Sequence, residues 1–291
     1  MKAVILILKS LRPGQWTKNL FIFAGILFSK NISNVPMLLK VTLAFFVFCA
    51  LSGSVYILND LADIERDRLH KAKSKRPLAS GKLKEGYAIF ALIIIVPISL
   101  ALSYYLGLPF FILALTYLLL QLAYTFYIKH KVILDIFTIA AGFVLRVIAG
   151  AVVINVEFSS WLLICTVLIA LFLGLSKRRH ELIVTGKKAE QHRAVLVEYS
   201  PYLLDQMISV VTASTFIAYT LYTMSEETIK KFGTKNLIYT IPFVLYGIFR
   251  YLYLIHQKGK GGDPERVLVT DKPLVANILL WVATVGIILY L

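Results

Sequence analysis

Charge is scarce in this chain, and negative charge is scarcer still. Only 16% of its 291 residues are Asp, Glu, Lys or Arg, and basic side chains outnumber acidic ones 31 to 16. Soluble domains carry about 25% charged and about 45–50% apolar residues, whereas this chain is 58% hydrophobic with a mean hydropathy of +0.76. A water-soluble globular domain is thereby excluded, and the question becomes how often the chain crosses a bilayer. Cysteine is nearly absent. Cys49 and Cys165 lie in apolar runs without a second ligand nearby, which excludes a disulfide framework or zinc site and leaves small buried hydrophobes. A net charge of +15 would suggest nucleic acid for a soluble protein; in a membrane protein its distribution matters more, and no nucleic-acid partner is expected. The first nine residues are too short for a cleaved signal peptide and read as an amphipathic lead-in helix on the membrane surface.

Apolar windows of about 20 residues mark spans. They fall near 16–34, 36–58, 85–106, 109–128, 132–154, 158–176, 204–224, 236–256 and 273–291, the first cut short by Ser29-Lys30-Asn31. The expected fold is an all-α polytopic bundle of about nine transmembrane helices, with eight as the alternative. No internal repeat or linker divides it, so residues 1–291 read as a single domain. Residues 59–84, 129–131, 177–193 and 257–272 together hold 20 Lys and Arg, and the opposite loops hold five. The cation excess places the N-terminus and the long alternate loops in the cytoplasm and the C-terminus outside. The same alternation gathers every chemically rich segment (loops 59–84, 129–131, 177–203 and 257–272) on one face. A transporter would instead place polar groups at the midplane, which is nearly bare except for Arg146.

Against this apolar background an acidic comb runs into a basic run. Asn59, Asp60, Asp63 and Asp67 are spaced by three, four, seven and eight residues, which puts four oxygen-bearing side chains on one helix face. Such a stripe suits Mg²⁺, which takes oxygen ligands and leaves room for substrate phosphates. Arg66, Arg68, Lys71, Lys73, Lys75 and Arg76 follow and suit an anionic substrate.

Asn59-Asp60-x-x-Asp63-x-x-x-Asp67, followed by Lys75-Arg76-Pro77-Leu78-Ala79-Ser80-Gly81, resembles the first motif of the UbiA superfamily of intramembrane prenyltransferases. The entry Arg12-Pro13-x-Gln15-Trp16-x-Lys18-Asn19 is also similar to that family's start, with Lys18 a candidate phosphate contact. The resemblance covers the whole chain. It implies an all-helical bundle with Mg²⁺ and a diphosphate held on the comb, opening to the cytoplasm.

A second region joins the fourth and fifth spans. Members of the superfamily carry a tyrosine–lysine pair there, which Tyr124 and Lys129 match, with Lys131 as the alternative lysine. These residues would equally serve as interfacial anchors. Asp135 and Arg146 follow, eleven residues apart, hence on one helix face with Arg146 about 16 Å deeper. A charge at that depth points inward, to a partner or a cavity, so structural pairing and substrate contact are both open. Gly142 reads as a close helix contact.

The segment Gly174-Leu-Ser176-Lys177-Arg178-Arg179-His180-Glu181-Leu182 has no aspartate. Aromatic-substrate members of the superfamily have a second Asp-x-x-x-Asp here. Consecutive cations in its place suit phosphate rather than metal, although Lys-Arg-Arg also marks a cytoplasmic span end. Together with Gly262-Asp263-Pro264-Glu265 and Thr270-Asp271-Lys272-Pro273-Leu274, this segment resembles the decaprenyl-phosphate phosphoribosyltransferase branch.

The resemblance implies transfer of 5-phosphoribose from phosphoribosyl diphosphate to a polyprenyl phosphate at a bacterial inner membrane, for cell-envelope polysaccharide precursors. Arg68, Lys75, Arg76 and Lys129 would offset diphosphate charge, and Lys177, Arg178 and Arg179 would take the 5-phosphate. Asp135 or Glu181 would orient the ribose. A prenyl diphosphate:aromatic acceptor transferase of quinone or haem synthesis shares the comb and is the alternative. A homo-oligomer is compatible with the sequence.

Overall fold

The structure is a computed structural model and describes residues 2–29, 31–69, 73–185, 194–262 and 264–290. Lys71 and Asp263, both part of the motifs above, lie outside the described residues. Among the described residues there is no strand. The chain forms two compact units, Met1–Phe126 with Leu145–Phe158, and Tyr127–Val144 with Ser159–Leu291.

The first unit holds α1 (Lys2–Ser10), a 3₁₀ segment (Pro13–Phe23), α2 (Ala24–Phe28), α3 (Val35–Ala62), α4 (Ile64–Leu69), α5 (Glu85–Tyr105) and α6 (Leu108–Phe126). The second half of α7 (Leu134–Val152) also belongs to it. Asn34 starts α3 by accepting the Met37 amide at 3.2 Å, and Pro36 in the first turn needs no amide of its own. In its most apolar stretch α3 is 61% buried, against 22% for α5 and α6, so α3 is the unit's central helix. Its Val47, Phe48 and Leu51 pack with Phe110, Ala114 and Tyr117 of α6 and with Ile22 and Ala149.

The second unit holds the first half of α7, then α8 (Ser160–Thr185), α9 (Pro201–Met224), α10 (Glu226–Phe232), α11 (Ile241–His256), α12 (Pro264–Thr270) and α13 (Lys272–Tyr290). Ser200 caps α9 by accepting the Leu203 amide at 3.1 Å. Ser225 caps α10, and Gly233, at φ 73°, ends it. Ile136, Phe172, Leu175, Leu204 and Tyr251 form the unit's core.

Eight helices among the described residues are long and apolar enough to span a bilayer, where about nine were expected. The expected span over 16–34 is the one not counted among them, because no single helix there is long enough. Its residues form an eleven-residue 3₁₀ segment and five-residue α2. Pro13 opens this segment, and Asn19 within it is buried and hydrogen-bonded away from the segment's own axis. The expected loop over 177–203 is corrected as well, since α8 continues helically to Thr185 and carries the Lys-Arg-Arg run on its last turns. Ion pairs to Arg178 and Arg179, described below, hold that extension.

The 3₁₀ segment approaches α7 through glycine. A Cβ added at Gly150 would overlap the Ile22 carbonyl, and one at Gly25 would lie 2.9 Å from Ala151 Cα. Small residues permit such backbone approach. Gly150→Ala is therefore expected to destabilise the protein by about 1–3 kcal/mol, the usual cost of overpacking, read as earlier thermal unfolding in detergent. Gly86→Ala, with nothing within 4 Å, is the control expected to unfold like wild type.

Candidate active site

In the first unit the comb occupies the end of α3 and all of α4. Helical hydrogen bonds run through the junction, Asp63 N to Asn59 O at 3.0 Å and Asp67 N to Asp63 O at 2.8 Å. Helical dihedrals lapse only at Asp63 (φ −109°, ψ 15°). Asp60 and Asp67 are each 2% exposed. Both turn onto Arg76, whose Nη1 lies 3.0 Å from Asp60 Oδ1 and 2.5 Å from Asp67 Oδ2. Lys73 Nζ is 3.8 Å from Asp67, and Arg12 donates a second guanidinium to Asp60.

Two local devices aim these arginines. The Arg76-to-Gly81 stretch is a tight turn, with Ser80 N to Arg76 O and Gly81 N to Leu78 O both at 2.9 Å. Gly81 supplies the positive φ of 72° that the turn needs. Leu78 and Leu83 anchor it beside Leu11, Ile57 and Ile64. Arg12 sits before Pro13 at φ 53°, a left-handed conformation that costs about 1–3 kcal/mol for a non-glycine residue. Its guanidinium carbon lies 4.7 Å from the centroid of the Tyr56 ring.

The four-ligand stripe expected from the sequence is thus, as folded, two buried carboxylates bridged by cations. Among the described residues no three His, Cys, Asp or Glu groups gather as metal ligands. The donors are hard oxygens, and two of them already converge on one positive nitrogen. That chemistry fits a hard divalent cation, which Asp60 and Asp67 would hold, with Asn59 and Asp63 within the same two turns. Arg68 is exposed and paired with Glu65 at 2.7 Å, and Lys75 is exposed. Lys18 and Tyr124 are half-buried.

Arg146 anchors a polar file inside the first unit. Its Nε donates to Asn19 Oδ1 and its Nη2 to Tyr117 Oη, both at 2.7 Å. Asn19 donates in turn to Cys49 Sγ and Ser52 Oγ, each at 3.2 Å. Cys49 therefore accepts a hydrogen bond as well as filling space. Cys49, Ser52, Tyr56 and Asp60 are spaced at three and four residues, so they form one face of α3. Arg146 is 6% exposed, as a charge at that depth requires.

The second unit gathers a separate set. Asp135, fully buried, accepts Arg178 Nε at 2.8 Å and the Tyr199 hydroxyl at 3.0 Å. Arg178 Nη1 also donates to Glu181 at 2.8 Å. Arg179 is paired with Asp205, and His256 Nδ1 lies 4.0 Å from the same carboxylate. Lys129 and Lys177 are half-buried, and Lys131 is exposed.

The two loop motifs of this unit meet. A Cβ on Gly262 would lie 2.5 Å from the His180 ring, and one on Gly261 3.1 Å from Ser176 O. Asp271 takes both arms of Arg250 at 3.0 and 2.9 Å and caps α13 by accepting the Leu274 amide at 3.1 Å. The Arg250 hydrogen bond holds the Asp271 carboxyl below its usual range.

Sequence reasoning missed three residues that contact the candidate side chains: Arg12, the second cation on Asp60, Asp205 on Arg179 and Tyr199 on Asp135. Arg12 left two signals, its place in the entry motif and its place before Pro13, since the residue before proline is biased out of the right-handed helical region. Tyr199 left none, because its partner lies 64 positions away.

The profile of the UbiA prenyltransferase family matches residues 19–182. The chain is 31% identical over 295 residues to the decaprenyl-phosphate phosphoribosyltransferase of Mycolicibacterium smegmatis, covering 98% of this chain and 92% of that one. It is 31% identical to the Corynebacterium glutamicum protein of the same name, over 98% and 86% of the two chains. Among solved structures, a UbiA homologue from Archaeoglobus fulgidus bound to DMAPP and Mg²⁺ superposes with a TM-score of 0.73 at 20% identity, over 97% and 98% of the chains. An Aeropyrum pernix homologue superposes at 0.63 and 14% identity, over 94% and 96%. At such identities the likeness speaks for the fold.

Proposed function

Because the chain belongs to the UbiA prenyltransferase family, we propose that it transfers 5-phosphoribose from phosphoribosyl diphosphate to a polyprenyl phosphate, releasing diphosphate. The observation carrying this reading is the pair of buried carboxylates bridged by Arg76 at the end of an apolar helix. It provides oxygen donors and cations at one point, as a diphosphate leaving group requires. The relatives named for phosphoribosyl transfer, matched over 98% of this chain, favour the ribosyl donor over a prenyl one.

Asn59, Asp60, Asp63 and Asp67 would hold Mg²⁺, which when bound offsets charge developing on the departing diphosphate. Arg12 and Arg76 exchange a carboxylate for diphosphate oxygens as the donor enters, with Arg68, Lys73 and Lys75 adding positive field. The bond from the anomeric carbon to diphosphate breaks, and a polyprenyl phosphate oxygen forms the new bond on the opposite face, inverting that centre. This acceptor is already ionised near neutral pH, so no strong general base is needed. Lys18, Tyr124, Lys129, Lys131 and Lys177 serve the anionic substrates, and Arg178, Arg179 and Glu181 frame the 5-phosphate and ribose with Asp135. Arg146 orders the first unit's polar file through Asn19 and Tyr117. The charge asymmetry of the loops supports a bacterial inner membrane protein with this chemistry on the cytoplasmic side and the C-terminus outside.

Purified protein with Mg²⁺, radiolabelled phosphoribosyl diphosphate and polyprenyl phosphate is expected to yield a labelled lipid, and chelation of Mg²⁺ to abolish it. Carbon–carbon product from geranyl diphosphate and 4-hydroxybenzoate, with no labelled lipid, would reverse the assignment.

A further inference from the structure

The chain entering α7 is held in an unfavourable conformation. Ile133 has φ 68°, a left-handed geometry that a β-branched residue rarely adopts. It lies directly between Lys129–Lys131 and the buried Asp135. The Ile133 amide donates to Tyr199 Oη at 2.7 Å, and that hydroxyl donates its own proton to Asp135 Oδ1 at 3.0 Å. One phenol thus fixes both sides of the strained residue. Tyr199 is only 4% exposed, directly ahead of α9. Asp135 continues the chain of contacts to Arg178 at 2.8 Å.

We infer that Tyr199 is a positioning residue that clamps the 131–135 turn and thereby sets Lys129 and Lys131 for the anionic donor. The inference rests on the phosphoribosyl-transfer reading for its substrate. The clamp itself follows from geometry: without the hydroxyl, the Ile133 amide loses its acceptor and Asp135 loses a donor. The left-handed φ is then held by local backbone bonds alone, Leu134 N to Val132 O at 2.7 Å and Asp135 N to Lys131 O at 3.1 Å, and the turn loosens toward ordinary dihedrals. Burial holds the phenol above its usual pKa, so the hydroxyl remains a donor throughout the neutral range.

Tyr199→Phe keeps the ring and removes only the clamp. It removes both hydrogen bonds of the buried phenol and is expected to raise the donor KM about five- to tenfold, with kcat little changed and thermal unfolding only modestly earlier. Hydrogen exchange at the amides of 131–135, read on protein in lipid nanodiscs without substrate, is expected to accelerate. Ile133→Gly adopts positive φ without strain, so the clamp becomes dispensable. The double variant is expected to match Ile133→Gly alone in donor KM. Unchanged exchange in Tyr199→Phe overturns the clamp, and so does a raised KM that persists in the double variant. Wild-type protein inactive toward phosphoribosyl diphosphate counts against the substrate reading instead, and the exchange measurement then decides the clamp by itself.

Discussion

Asp60→Asn is expected to lower kcat/KM for the ribosyl donor by about 10²–10³-fold, the usual loss when one preorganised electrostatic group is removed from a leaving-group site. Asp60 is buried, and Arg12 and Arg76 both point at its Oδ1. The amide keeps the shape and one acceptor oxygen but loses the charge that holds two guanidinium groups and would hold a divalent cation. Folding should be less affected, because Asp67 retains Arg76 at 2.5 Å and Lys73 at 3.8 Å. Steady-state kinetics at varied Mg²⁺ check the claim, with an elevated Mg²⁺ requirement as its signature. A variant turning over at the wild-type rate would remove the carboxylate cluster from the chemistry. Pairing Asp60→Asn with Arg76→Gln in a double-mutant cycle isolates the coupling, since contacting charges are strongly non-additive.

Arg178→Ala is expected to cost about 3–5 kcal/mol of stability, the penalty for stripping one partner from a buried ion pair. Asp135 and Arg178 have 0% and 3% of their side chains exposed, so water cannot take over either charge. Arg178 donates Nε to Asp135 and Nη1 to Glu181, a two-carboxylate bridge that lysine's single nitrogen cannot reproduce. Arg178→Lys should therefore fall between wild type and alanine. Adding Asp135→Asn to Arg178→Ala should recover part of the loss, because the orphaned charge is then gone. Thermal unfolding in detergent or nanodiscs reads all three. If Arg178→Ala unfolds like wild type yet raises the donor KM, the arginine's role is confined to phosphate, and the ion pair with Asp135 is dispensable to the fold.

The acidic comb and the spans were legible because each is a local pattern. Hydropathy finds a segment such as Val35–Ala62 from composition alone, and the spacing of Asn59, Asp60, Asp63 and Asp67 follows from helical geometry. Legibility failed first in the helix type of residues 16–34. Apolar content counts side chains, but Pro13 and the buried amide of Asn19 belong to a 3₁₀ segment tied to another helix. It failed again at Ser176–Leu182, where helix persisted because distant carboxylates, Asp135 and Asp205, met its arginines.

The sequence by itself determined the solvent, the class of fold and the kind of ligand. These depend on how much apolar surface there is and on which charges lie within a few turns of one another. Only tertiary structure decided what those charges do while they wait for substrate. Arg12 meets Asp60 across 48 positions, Arg146 meets Asn19 across 127, and Tyr199 meets Asp135 across 64. Each pairing gives a buried polar or charged group the partner that water would otherwise supply. A buried charge must find a partner from whichever helix packs nearest, and sequence distance does not record which helix that is.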